Sequence, residues 1–299
     1  MKIKIFLLLL FVFSQTTYAV ASKEKKQIGK SWFLNAADAL SLEKQGATMI
    51  DAREGFKFKS YFPSISLKWK EISRKDSPLR GYLLPESEAI EILQRKGIQK
   101  DRVILVFADP ISGWGEEGRI VWSLRTLGFS NTYIIDGRIR ALIKARESKK
   151  VSDSKIEIFA INSTRQTTDW SADANFVKSH LSDRKFIFVD SREEREFEGG
   201  TPYGESHGGH LPGARSLYYK NLLNSDGYLL SETELRRKFS SVGIESGKTV
   251  VTYCTGGIRS AWLVAVLISF GYDAKNYAGS MWEWSSLDPD RFPLVKGSN

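Results

Sequence analysis

The sequence predicts two homologous α/β domains in tandem, each a parallel sheet with helices on both faces. Two observations predict this. Short, wholly apolar runs alternate with helix-like segments, as in strands buried on both faces. The order of those runs then repeats. The run from Gly97 to Ala108 aligns without a gap on Gly243 to Cys254, and Met49-Ile50-Asp51-Ala52-Arg53-Glu54 on Phe188-Val189-Asp190-Ser191-Arg192-Glu193. Leu127-Gly128-Phe129 matches Phe270-Gly271-Tyr272, and the stretch from Tyr133 to Gly137 approximately matches Asn276 to Ser280. The repeat predicts an N-terminal domain over 30–148 and a C-terminal one over 167–299. A polar connection over 149–166, interrupted by the short apolar Ile156–Ile161, joins them. A chain of 299 residues is long enough for two domains of ordinary size.

The first residues are of another kind. Lys2 and Lys4 precede the apolar run Ile5–Phe13, and small residues follow at Ala19 and Ala21. This is the pattern of a secretory signal peptide over 1–21, cleaved after Ala19 or Ala21. The apolar run is too short to span a bilayer. No other long apolar run follows, so the expectation is a soluble periplasmic or secreted protein without stable membrane insertion. In the first domain, Pro85 sits in the first turn of a helix whose apolar face is Ala89, Ile90, Ile92 and Leu93. In the second, Asn175–Leu181 reads as a helix and Lys185–Val189 as a strand, and Ser231-x-x-Glu234 is a capping box opening a helix through Phe239. The β-branched Val250-Val251-Thr252 reads as a buried strand, and Ala261–Phe270 as a helix that Gly271 ends.

The net charge of +9 either attracts anionic substrates or polyanions or is that of a generally charged, solvated surface. Basic residues are not interleaved with aromatics in a stripe, so nucleic acid is not an expected partner. A single cysteine excludes an internal disulfide, and with three scattered histidines it makes no zinc spacing. No metal or cofactor is expected. That cysteine, Cys254, stands between the buried strand and the helix in Cys254-Thr255-Gly256-Gly257-Ile258-Arg259. A tight glycine turn there aims several backbone N–H groups at one point, on the positive end of the helix dipole, and so favours the thiolate. The first domain has Ala108 at this position. Its loop, Asp109 to Arg119, is longer, carries acids that would repel an anion and lacks a nucleophile, so that domain is expected to be catalytically silent. Its acidic, Trp114-containing loop either covers the domain interface or meets a partner.

Three motifs in order carry a resemblance over nearly the whole chain after the signal peptide. They are Val189-Asp190-Ser191-Arg192, Gly209-His210-Leu211-Pro212-Gly213-Ala214-Arg215 and the six-residue Cys254 loop; a closing Gly279-Ser280-Met281-Trp282-Glu283-Trp284 adds to them. Together they resemble a tandem-domain rhodanese, a sulfurtransferase of the thiosulfate or 3-mercaptopyruvate type. The resemblance implies that Cys254 is the nucleophile and takes the outer sulfur of a donor such as thiosulfate. Sulfite leaves, and the persulfide passes its sulfur to a thiophilic acceptor such as cyanide. It implies a substrate-binding loop of Thr255, Gly256, Gly257, Ile258 and Arg259. Arg259 either pairs with an anionic donor or forms a structural ion pair beneath the loop. Tandem rhodaneses tend to place a substrate-binding arginine where this chain has Glu196. Arg195, one step earlier, either enters the site after a small backbone shift or is a solvated helix charge. Asp190 and Arg192 are expected to brace the strand end as an ion pair, and His210 to orient a turn. Trp282 and Trp284 either wall the pocket or pack in the core. Loops of the mercaptopyruvate type end in a hydroxyl residue, so Arg259 leans the donor toward thiosulfate or another inorganic sulfur anion. A cysteine phosphatase needs five residues between Cys and Arg, and only four separate Cys254 from Arg259. The other alternative is a sulfur-carrier or redox-sensing module that uses the same persulfide with a protein partner.

Overall fold

The computed structural model describes residues 26–28, 31–55, 62–148, 156–158 and 170–297. The expected signal peptide lies outside them. The first half contributes strands β2 (Phe33–Leu34), β3 (Thr48–Asp51), β4 (Ile65–Ser66), β5 (Ile104–Phe107) and β6 (Thr132–Ile135). Its helices are α1 (Ala36–Lys44), α2 (Glu86–Arg95), α3 (Glu116–Thr126) and α4 (Ile139–Glu147). The second half contributes β8 (Ser171–Ala172), β9 (Phe186–Asp190), β10 (Arg215–Ser216), β11 (Thr249–Tyr253) and β12 (Asp273–Tyr277). Its helices are α5 (Ala174–His180), α6 (Glu194–Phe197), α7 (Glu232–Ser241), α8 (Ile258–Ser269) and α9 (Ser280–Trp284).

Each half is a five-stranded, wholly parallel sheet. The orders β2-β6-β5-β3-β4 and β8-β12-β11-β9-β10 are the same path through the same positions, so the repeat read from the sequence is a repeat of topology. A separate parallel pair joins β1 (Lys26–Ile28) to β7 (Ile156–Ile158), which lies within the predicted connection.

Alternation along the central strands explains why helices cover both faces. In β5, Ile104 and Val106 pack with Ala89 and Leu93 of α2 and Ile120 and Val121 of α3, whereas Leu105 and Phe107 pack with Leu40 of α1 and Leu142 of α4. In β11, Val250 joins the first of these cores, while Val251 and Tyr253 join a third core with Tyr277, Met281 and Trp284. The core that holds α2 and α3 also holds α7 and α8, so the two halves share one apolar interior. Helices α3 and α8 cross at its centre. A side chain at Gly118 would lie 2.5 Å from the Trp262 Cα, and only glycine lets the two helices approach that closely.

Local signals fall where the sequence places them, with two shifts. The capping box is formed: the Ser231 hydroxyl accepts the Glu234 N–H at 3.4 Å, and the Ser231 N–H donates to Glu234 Oε2 at 3.1 Å. Pro85 stands just outside α2 rather than within it. Helix α8 begins at Ile258, three residues before the run that composition marks, because the second part of the Cys254 loop is already its first turn.

Candidate active site

Strand β11 delivers Cys254 at the C-terminal edge of the second sheet, and α8 starts four residues later. The turn between them is fixed from α9. The Cys254 N–H donates to Ser280 Oγ at 3.1 Å, and the Ser280 hydroxyl donates to the Tyr277 carbonyl at 2.6 Å. The Met281 and Trp282 N–H groups donate to the carbonyls of Cys254 and Thr255 at 3.1 and 2.9 Å. Ser280 itself has a φ of +50°, a costly value for a residue with a side chain, which these bonds hold in place. The closing Gly-Ser-Met-Trp motif is thus the clamp of the loop.

Within the clamp, Cys254 Sγ accepts the Gly257 N–H at 3.1 Å and lies 3.5 Å from the Ser260 hydroxyl. The two glycines have different reasons. Gly257 has a φ of +78° and forms the entry to α8. At Gly256 a Cβ would lie 2.0 Å from the Trp282 ring, so this position is empty because an indole fills it. Burial raises the thiol, which is only 1% exposed. The Arg259 charge, the Ser260 hydroxyl and the Ser260 and Gly256 amides outweigh burial, and the thiol is held below its ordinary range.

Arg259 does not present its guanidinium to the cavity unpaired. It binds Glu196 bidentately, Nη1 to Oε2 at 2.6 Å and Nη2 to Oε1 at 2.8 Å, and donates to Thr255 Oγ1 at 2.7 Å. Burial opposes both charges. The pair overcomes it, raising the arginine and lowering the carboxyl. Of the two roles the sequence left open for Arg259, the structural ion pair is the one formed. Glu196, standing where the resemblance expected an arginine, is its partner.

A cavity of about 320 Å³ opens over Cys254. Of the five loop residues expected to bind substrate, Thr255, Gly256, Ile258 and Arg259 line it and Gly257 does not. Trp282 forms a wall and stacks on Trp69 of the first half, with ring centroids 6.5 Å apart. Trp284 is core. Trp114 and Tyr203 meet edge-to-face at 4.9 Å and close another side, so the first-half loop covers the interface. The Arg80 guanidinium lies 3.7 Å from the Trp282 ring and has no carboxylate partner among the described residues; Lys70 lies beside it, 3.6 Å from Glu54. A larger cleft of about 510 Å³, between His207 and Lys296, does not reach Cys254.

Arg195 is not brought into the site. It projects outward from α6 and is exposed, with Nε 2.7 Å from Glu193 Oε2; the adjacent Glu196 points inward instead. Asp190 and Arg192 form the expected buried pair at 2.7 Å, and Arg192 also holds the Gly209 carbonyl. His210 lies flat on Phe197, 3.6 Å between centroids, and bonds the Phe197 carbonyl. The expectation that the first-half loop repels anions needs correction. Burial raises Glu116 and pushes Glu117 up to about 8, so the Glu117 charge is weakened, and Arg119 from the same helix carries a cation to the Cys254 loop. Arg80, Trp69 and Arg119 were not identified from sequence, because domain packing alone brings them here.

Residues 173–287 match the family description "Rhodanese-like domain". The second half of the chain therefore carries a rhodanese-like domain. Among similar proteins, the sulfur carrier protein TtuD of Thermus thermophilus is 26% identical over 230 residues, covering 72% of this chain and 78% of the relative. The thiosulfate sulfurtransferase of Gallus gallus is 22% identical over 257 residues, covering 82% and 85%. The Tum1 protein of Saccharomyces cerevisiae has the same fold, with a TM-score of 0.73 at 19% identity over 90% of this chain and 99% of that one.

Proposed function

We propose that this protein is a sulfurtransferase that moves the outer sulfur of thiosulfate, or of a similar anionic donor, to a thiophilic acceptor through a persulfide on Cys254. One observation carries the reading: the thiol is buried, yet it forms the floor of a cavity with peptide hydrogens turned toward it. In the first step the thiolate attacks the outer sulfur. The donor's S–S bond breaks, sulfite leaves with its electron pair, and a new S–S bond joins Sγ to the transferred atom. In the second step the acceptor attacks that outer atom, and the pair returns to Sγ. With cyanide the product is thiocyanate. The amides that favour the thiolate would equally favour the persulfide anion, since both put negative charge in the same small cradle. Arg80 would receive the donor, because Arg259 is committed to Glu196 and Lys70 stands 3.6 Å from Glu54. The inference of an inorganic donor from Arg259 therefore loses its basis and passes to Arg80.

Thiocyanate formation from thiosulfate and cyanide tests the proposal. Cys254→Ser abolishes it while the thermal melt stays close to that of the parent; turnover surviving in that variant would refute the nucleophile. Comparing kcat/KM for thiosulfate and mercaptopyruvate decides the donor, and equal values remove the thiosulfate preference. The name of the Thermus relative favours a second reading, a sulfur carrier served by a protein donor or acceptor. A persulfide that forms only from a protein, without small-molecule turnover, would establish it. Export belongs to the same proposal and rests on residues 1–21 alone. N-terminal sequencing of secreted protein should begin at Val20 or Ser22.

A further inference from the structure

We infer that Arg119, supplied by the half without a nucleophile, is a positioning residue that holds the Cys254 loop in place and Cys254 in its charged, reactive form. Arg119 projects from α3 and is fully buried, at 0% exposure. Its Nη1 donates to the Gly257 carbonyl at 3.1 Å, and its Nη2 to Ser73 Oγ at 3.0 Å and to the Gly81 carbonyl. Gly257 is the residue whose N–H meets the sulfur. Its carbonyl also accepts from Asn276 Nδ2 at 3.2 Å, so one donor from each half fixes the orientation of this residue.

A buried guanidinium is costly unless an anion compensates it. Arg119 has no carboxylate within ion-pair distance among the described residues, and its Nε has no hydrogen-bond partner among them. Glu117, fully buried on the same helix, is pushed up to about 8 and so is mostly neutral at pH 7, as its carboxyl would have to be without a cation of its own. Burial brings Arg119 down to about 9, which leaves it protonated at neutral pH, and the anion that supports its charge is the Cys254 thiolate. The rings of Trp122 and Trp69, 4.8 and 5.8 Å from its Cζ, supply part of the remaining compensation. Arg259 also acts on the sulfur, but the bidentate Glu196 carboxylate offsets much of that field. Arg259 remains the leading cation acting on the thiol, and Arg119 adds from the first half a second one, which has no carboxylate partner among the described residues. This gives the silent domain a part in the chemistry: without it the loop has its amides but lacks both a second anchor and an unpaired cation.

The inference rests on Cys254 being the reacting group, but its test requires no sulfur transfer. The rate of iodoacetamide alkylation is measured against pH on the full chain. Arg119→Gln, which keeps a donor for the Gly257 carbonyl but no charge, should alkylate about tenfold more slowly at pH 7. It should reach the parent rate only at higher pH. Arg119→Lys, which restores the cation, should stay within about threefold of the parent. A structural role alone would lower the limiting rate at high pH and leave the midpoint in place. A folded Arg119→Gln protein with the parent profile overturns the inference, as does an Arg119→Lys protein as slow as Arg119→Gln. Should Arg119→Gln not fold, Glu196→Gln decides. Releasing the Arg259 charge should then speed alkylation below pH 7, and an unchanged profile overturns the claim that Arg259 is compensated. A parent protein that transfers sulfur but whose Arg119 variants alkylate normally would refute this inference and leave the proposed function standing. The opposite pattern would do the reverse.

Discussion

Replacing Gly257 with alanine tests whether the loop is held as tightly as the geometry indicates. Two costs arise. The first is conformational: a φ of +78° puts a Cβ against the following carbonyl, for about 1–2 kcal/mol. The second is packing. The new Cβ would stand 2.6 Å from the Ala278 carbonyl oxygen, 2.7 Å from the Ala278 Cα and 2.7 Å from Arg119 Nη1. Two of those atoms are backbone between β12 and α9 and have little room to yield, so overpacking adds about 1–3 kcal/mol. Gly243, just after α7, separates the two costs. Its φ is also +78°, but a Cβ there meets nothing within 4 Å. Gly243→Ala should therefore lose only the conformational part, and Gly257→Ala about 1–3 kcal/mol more. Against an ordinary stability of about 5–15 kcal/mol both variants should remain folded. Urea unfolding at pH 7 reads the difference as a shift of midpoint at constant slope. If Gly257→Ala costs no more than Gly243→Ala, the loop is free to move, and the close fit described for it is wrong.

Glu196→Ala leaves Arg259 buried without its carboxylate and should cost about 3–5 kcal/mol at pH 7 by urea unfolding. Because Arg259 holds the Glu196 carboxyl below its ordinary 4.5, the pair's contribution is complete above that value and is lost as pH falls through the lower folded one. The gap between parent and variant should therefore close on acidification, and a constant gap down to strongly acid pH would contradict the ion pair. Arg80→Ala should raise KM for an anionic donor several-fold with little change in kcat, whereas Arg195→Ala should leave both near the parent values. The reverse ranking in steady-state kinetics would return Arg195 to the site.

What the sequence disclosed, and what it hid, follows from distance along the chain. Strand β11, the glycine turn and α8 are contiguous, so their residue types alone announce a cysteine on a strand-to-helix turn. Asp190 and Arg192 lie two residues apart, and their pairing was legible for the same reason. Arg119 is 138 residues from Gly257, and no local pattern marks it. It read as the last residue of an acidic loop. Gly118 likewise read as a loop glycine, whereas its use is to admit Trp262 across the interface. Arg195 and Glu196 show a finer limit. Sequence placed a charge near the site, but which of two neighbours points inward depends on the rotation of the short helix α6, and that rotation is set by Arg259, 63 residues away.

The central claim is that Cys254 carries a transferable sulfur atom. The intact mass of the full chain, taken after thiosulfate treatment and again after cyanide, tests it most directly. The account predicts a gain of one sulfur atom that cyanide removes and that Cys254→Ser never acquires. An unchanged mass in the parent protein, or a gain that survives cyanide or persists in the serine variant, would contradict it.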